Sequence, residues 1–329
     1  TWALRACRRK GFAPLWWPLS ASRPLRPVQE PNQVGEQTAT AGPLLAAAGF
    51  TEAAGRGALC RRYRGGSPRS AYGPAMPAHA LLPAVNRLLQ QVEEAGGLPV
   101  MVVQQDDLED LAMVRLATRE QQTHRIIYRD AGELSSYHVA FEAALLLRMI
   151  QVPAEQQVIL HETREAREKV ISQVERMFKG QISLAQARSA GLQYYDGVLL
   201  RLRSTGPGLW ADRWLFEQVP ELRGLQATLL QSQVQDNLFC LEGEVERLTP
   251  TAVLQATRAI NAACAFHSSG LLGIPSLAIP YQAAGLEALA KELINLTSAA
   301  PRTNDPDREI VDGWAEKLGI SRWYCWKAP

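Results

Sequence analysis

Ser135–Ile150, SSYHVAFEAALLLRMI, decides the fold, because it sets a dense apolar run around only three ionisable groups. Val139, Ala143, Leu146, Met149 and Ile150 follow helical spacing. Ala140, Phe141, Ala144, Leu145 and Leu147 fill the remaining faces, so the segment predicts a helix that is apolar nearly all round and must be enclosed. Ser135 or Ser136 is expected to cap its start, and Pro153 stops it. It is too short and too polar to span a membrane. Its ionisable groups are His138, Glu142 and Arg148. His138 and Glu142 stand one turn apart, which fits a mutual salt bridge, half of a metal site or an acid/base pair. A carboxylate inside such a helix needs a partner or a proton.

Upstream of Met76 the chain reads differently. Residues 1–75 hold ten Arg and one Lys against three Glu and no Asp, a balance of +8, which leaves −6 for residues 76–329. The first 75 residues also lack Ile and Met and show no hydrophobic period. They read as a segment that is disordered or foreign to the native fold: a basic nucleic-acid-binding arm, an Arg-rich transit segment or an upstream reading frame joined to the protein. The last is preferred here, because Met76 is the first methionine and amphipathic patterning begins just after it. The negative balance of 76–329 disfavours nucleic acid as its partner, since such binding is driven by phosphate neutralisation.

Between Met76 and the buried helix the elements are short. Leu81, Leu82, Val85, Leu88, Leu89 and Val92 predict a helix over 78–95, closed by Gly96-Gly97. LPVMVV (98–103), MVRLAT (113–118) and HRIIYRD (124–130) predict strands, the last two forming a hairpin. Downstream, the sequence predicts helices over 155–178, 183–192, around Trp210 and Trp214, 221–247, 250–269, 281–296 and in the tail. Turns are expected at Gly206–Gly208 and Pro220, and a linker at 298–307. The fold class is therefore α+β and predominantly helical. A small N-terminal sheet lies beside a buried helix in 76–152, and a helical region, 153–329, packs on it.

The order helix, strand, hairpin, buried helix resembles the N-terminal core of zincin-type metallopeptidases, particularly compact domains of the ImmA/IrrE kind. In that family the buried helix bears H-E-x-x-H, two zinc-binding His around a Glu that activates water. Setting Glu142 on the family's Glu places Phe141 and Leu145 at the two His positions, as F-E-A-A-L. The resemblance, which covers roughly residues 78–150 and rests on element order, thus implies an inactive relative with Glu142 as a vestige. Such a relative binds no cofactor and works as a regulatory or interaction protein. The alternative is a zinc-dependent hydrolase that uses His138 and Glu142, with His161, Glu246 or His267 as third ligand.

A second string, His161-Glu162-Thr163-Arg164-Glu165, offers His161 and Glu165 as metal ligands with Glu162 as base. Its many i,i+4 charge pairs instead describe a solvated helix face. In the tail, Trp323, Tyr324 and Trp326 either dock on the domain or form a contact surface for a partner, a protein or a small molecule. Cys7, Cys60, Cys240, Cys264 and Cys325 are odd in number and widely spaced. They make no disulfide framework, and the setting expected is a bacterial cytoplasm. No nucleotide-binding or nucleophile-elbow motif is present in the sequence.

Overall fold

The structure is a computed structural model that describes residues 80–108, 110–118, 120–153, 156–299 and 305–328. The reading of residues 1–75 lies outside these. Helix α1, Pro83–Gly96, starts with proline in its first turn and ends on Gly97, whose φ of 66° closes the αL cap. Its apolar face, Val85, Leu88 and Val92, is buried as the spacing predicts.

Strands β1 (Val100–Gln104), β2 (Ala112–Arg115) and β3 (His124–Tyr128) form one sheet in the order β1-β3-β2. The expected hairpin is present, with β2 antiparallel to β3 and Val114 opposite Ile126. β1 pairs on the other side of β3 and parallel to it, Val102 opposite Ile126. Being central, β3 buries His124, Ile126, Ile127 and Tyr128.

Helix α2, Leu134–Met149, is the predicted central helix, and it is enclosed as its composition demands. α1 and strands β2 and β3 pack against it on the N-terminal side. Neither serine caps it. The N-cap position is Glu133, and both serines lie inside the first turn. Ser135 Oγ accepts from the Ala131 amide at 2.8 Å, and Ser136 Oγ accepts from the Leu82 amide at 3.0 Å. They fasten neighbouring segments rather than the helix's own amides.

A helix was expected from residue 155, but Ile159–Glu162 form strand β4, and α3 spans only Arg164–Met177. The partner of β4 is β5, Tyr324–Lys327, at the far end of the chain; they pair antiparallel, Ile159 with Lys327 and Glu162 with Tyr324.

Helix α4, Leu184–Gln218, is a single run of 35 residues, opened by a capping box between Ser183 and Gln186. The turn expected at Gly206–Gly208 does not form, and Pro207 sits inside the helix. Gly206 is the point of closest approach to the later helix α10 (Pro306–Lys317): a Cβ there would lie 2.3 Å from Ile310 Cγ2. The close packing holds together a segment whose local propensity is to break.

The predicted helix over 221–247 is likewise divided, into α5 (Arg223–Asn237), a 3₁₀ turn at Leu238–Leu241 and α6 (Gly243–Leu248). α7 spans Thr251–Leu272. The predicted 281–296 helix becomes α8 (Ile279–Ala283) and α9 (Glu287–Ser298), separated by Gly285 at φ 73°.

α4 joins two cores. Its first part, from Ala187 to Leu209, packs with α3, α7, α9, α10 and β5 in one apolar cluster. Its second part, Ala211 and Leu215, packs with α1, β3 and α2 in another. At the junction Arg148 of α2 lies over the Trp210 ring, 4.6 Å from its centroid, and pairs with Asp307 of α10. Trp210 and Trp214 stack on each other and pack against the second core.

Candidate functional site

His138 and Glu142 lie on α2, but what acts on each is not the other. Burial and the nearby Arg129 guanidinium push His138 down to about 3. Burial, with the negative charge of Asp110, pushes Glu142 up to about 8. The residue Glu142 as a whole keeps some exposure, yet the protein packed around its carboxyl, which governs desolvation, is dense. At neutral pH both side chains are thus mainly uncharged, so the salt bridge allowed by their spacing is not what holds them. Phe141 is buried in the second core, and Leu145 packs against it.

Of the third ligands considered, Glu246 is taken by Arg258 at 3.2 Å, His267 is buried on α7, and His161 lies on β4 opposite Cys325. Among the described residues no group of three His, Cys, Asp or Glu is placed to hold a metal ion. The His161/Glu165 string loses its geometry altogether. His161 is in a strand and Glu165 is exposed in the first turn of α3, so they do not share a helical face.

The tail aromatics pack on the first core to different degrees. Tyr195 of α4 stacks on Trp323 with ring centroids 5.4 Å apart, and its hydroxyl donates to the Trp323 carbonyl. Tyr324 is buried, and its hydroxyl and the Trp326 indole both donate to Asp312 Oδ1, at 2.6 and 2.8 Å. Tyr324 belongs to the first core, while Trp323 and Trp326 pack against it and stay partly exposed.

A different site emerges where α2, α4, α5 and α7 meet. Tyr137 of α2 donates its hydroxyl to Asp212 of α4. Gln226 of α5 donates to the Asp212 carbonyl at 2.7 Å and lies 3.5 Å from both the Asp212 carboxylate and the Tyr137 hydroxyl. All three side chains are buried, at 1%, 7% and 0% exposure. Burial pushes Asp212 up to about 7 against the opposing pull of its two hydrogen bonds, and pushes Tyr137 well above its usual range. The carboxyl therefore changes charge near neutral pH.

It opens on a cavity of about 30 Å³ whose polar wall is Tyr137, Thr205, Asp212, Gln233, Cys264 and Ser268. That is room for one or two water-sized groups. Burial drives the Cys264 thiol up to about 12, so it is not a ready nucleophile.

Sequence reading passed over this site although a signal exists. Arg201, Thr205, Gly208 and Asp212 recur at i, i+4, i+7 and i+11 on α4, and Thr257, Asn261, Cys264 and Ser268 do the same on α7; all eight are buried. Tyr194 donates to the Leu248 carbonyl near one end, while Asp212 and Ser268 line the cavity near the other, so the helices run the same way. The two stripes face each other as a polar seam in an apolar interior. Along and beside it, Arg201 Nη1 and Gln226 Oε1 have no hydrogen-bond partner, while Asn261 and Tyr281 reach the Cys240 thiol. Buried polar atoms in folded proteins are nearly always satisfied, by protein, ordered water or a bound group.

Comparison of the chain with protein families, with curated proteins and with solved structures finds no match.

Proposed function

We propose that the chain acts by binding rather than by catalysis, as a regulatory or interaction protein on an inactive zincin-like core. Its recognition element is the Asp212 cavity, which takes a small polar group that brings a hydrogen-bond donor or a positive charge. The observation that carries this reading is the buried Tyr137–Asp212–Gln226 cluster at the wall of a cavity of about 30 Å³. A carboxyl that titrates near 7 is poised to accept from such a group, and a cation bound beside it would hold it ionised. The group belongs to a small molecule or to a side chain of a partner protein.

Against a hydrolase stand Phe141 and Leu145 at the two positions where a zincin helix carries His. Among the described residues no helix is long and apolar enough to cross a membrane. A cytoplasmic setting belongs to the same proposal, supported by the free thiols of Cys240, Cys264 and Cys325.

The test uses methylammonium as probe. At constant ionic strength it should raise the thermal midpoint of the full chain saturably at pH 7.5, and Asp212→Asn should remove the response. An equal response in Asp212→Asn, or no saturable response in either chain, would discard the cavity as recognition element. One equivalent of zinc in the purified protein, together with peptidase activity, would replace the binding reading by the hydrolase.

A further inference from the structure

Arg201 is the odd member of the polar seam. It sits on α4 with 3% of its surface exposed, and its Nη1 is fully buried without a hydrogen-bond partner. No carboxylate among the described residues pairs with it; the groups whose fields reach it are Cys240, Cys264 and Tyr281. Desolvation lowers the guanidinium only to about 10, so it stays charged at neutral pH. Its neighbours do not supply the missing negative charge. Burial pushes both thiols and the Tyr281 phenol upward, which leaves all three neutral.

The rest of the surroundings add donors and positive charge. Tyr281 is wholly buried, and its hydroxyl lies in hydrogen-bond reach of the Cys240 thiol, a neutral and weak partner. Arg258 donates to the Cys240 carbonyl at 2.8 Å, and its own counter-ion, Glu246, is largely exposed. A buried cation ringed by neutral donors lacks one thing, a negative charge, because a charge taken out of water without a partner is strongly unfavourable.

We propose that the Arg201 cluster is an internal site for one small monovalent anion, a halide or a carboxylate of formate size, held by the guanidinium with the Tyr281 hydroxyl and the flanking thiols as neutral donors. The full burial of the guanidinium Nη1 sets the size limit and excludes sulfate and phosphate. The site borders the Asp212 cavity, since Cys264 lines that cavity and also faces Arg201, but it takes an anion where the cavity takes a donor or cation. The two sit eleven residues apart on α4, and each has its own probe and its own variant.

Two measurements decide it. Chloride-35 NMR of the full chain should show line broadening that bromide and formate displace and sulfate does not. A chain that broadens the line no more than Arg201→Met does, or whose broadening sulfate removes equally, overturns the site. Thermal midpoints give the second reading, with gluconate replaced stepwise by chloride at constant ionic strength. The natural chain should gain stability saturably, and Arg201→Met should be flat and at least as stable as the natural chain in gluconate alone. Should Arg201→Met fail to fold in any salt, Arg201→Lys takes its place, with chloride affinity expected to drop at least tenfold. Equal chloride affinity in Arg201→Lys, or an equal chloride response in Arg201→Met, would show that the arginine is structural.

Discussion

At the scale of single residues, Glu142 illustrates how environment rewrites a motif. Spacing alone makes it the partner of His138, and on that reading Glu142→Gln would cost about 3–5 kcal/mol, as loss of one member of a buried pair does. With the carboxyl pushed up to about 8 and His138 down to about 3, there is no charge pair to lose at neutral pH. Glu142→Gln should therefore change stability by less than about 1 kcal/mol at pH 6. Above pH 8.5, where the natural carboxyl must ionise in place, the variant should be the more stable chain. Urea melts at the two pH values check this, and a large loss at both would restore the paired carboxylate. The sequence showed that a titratable group sits in an apolar helix. It did not show which charges face it, because Arg129 and Asp110 arrive from loops outside that helix.

At the scale of elements, α4 is where local rules and packing conflict. GPG within an apolar helix reads as a turn, yet the helix continues because α10 rests on the bare backbone at Gly206. The same logic holds at Gly191, where a Cβ would lie 2.7 Å from Ile171 Cα on α3, whereas Gly197 has nothing within 4 Å. Gly→Ala should hence split by position. Gly191→Ala and Gly206→Ala should each lose about 1–3 kcal/mol through overpacking. Gly197→Ala should gain roughly 0.5–1 kcal/mol, because alanine is the better helix former. Denaturant midpoints of the three variants measure it, and a uniform gain would mean that α4 does not contact α3 and α10 so closely. The β4–β5 pair makes a second case. ILHE adjoins a strongly charged helix and continues its reading in sequence, yet it forms a strand paired with the tail that folds back on it.

For the whole molecule, the buried titratable groups fix the pH profile of stability. Glu142 and Asp212 bind protons more tightly folded, near 8 and 7, than at their ordinary values of 4.5 and 3.8. Their contribution is therefore complete at low pH and is lost as pH rises through 7 to 8. His138 and His267, held at about 3 and 4 against an ordinary 6.5, contribute above 6.5 and lose that contribution as pH falls toward 4 and 3. Stability should accordingly rise on the order of 1 kcal/mol per pH unit from pH 8.5 down to 6.5. It should then level off and fall again below about 4.5. Urea unfolding across pH 4–9 tests the profile, and a stability that increases from pH 6.5 to 8.5 would contradict it.

By itself the sequence determined the enclosed α2, the amphipathic α1, the β2–β3 hairpin and the predominantly helical class. Each rests on a hydrophobic period or a turn signal contained within its own segment. Only the tertiary structure decided that α4 runs unbroken through Pro207, that β1 lies parallel to β3, that β4 pairs with β5, and that the stripes of α4 and α7 face each other around Asp212 and Arg201. Those outcomes depend on which surfaces meet, and a segment's own periodicity records which face is buried without recording what buries it.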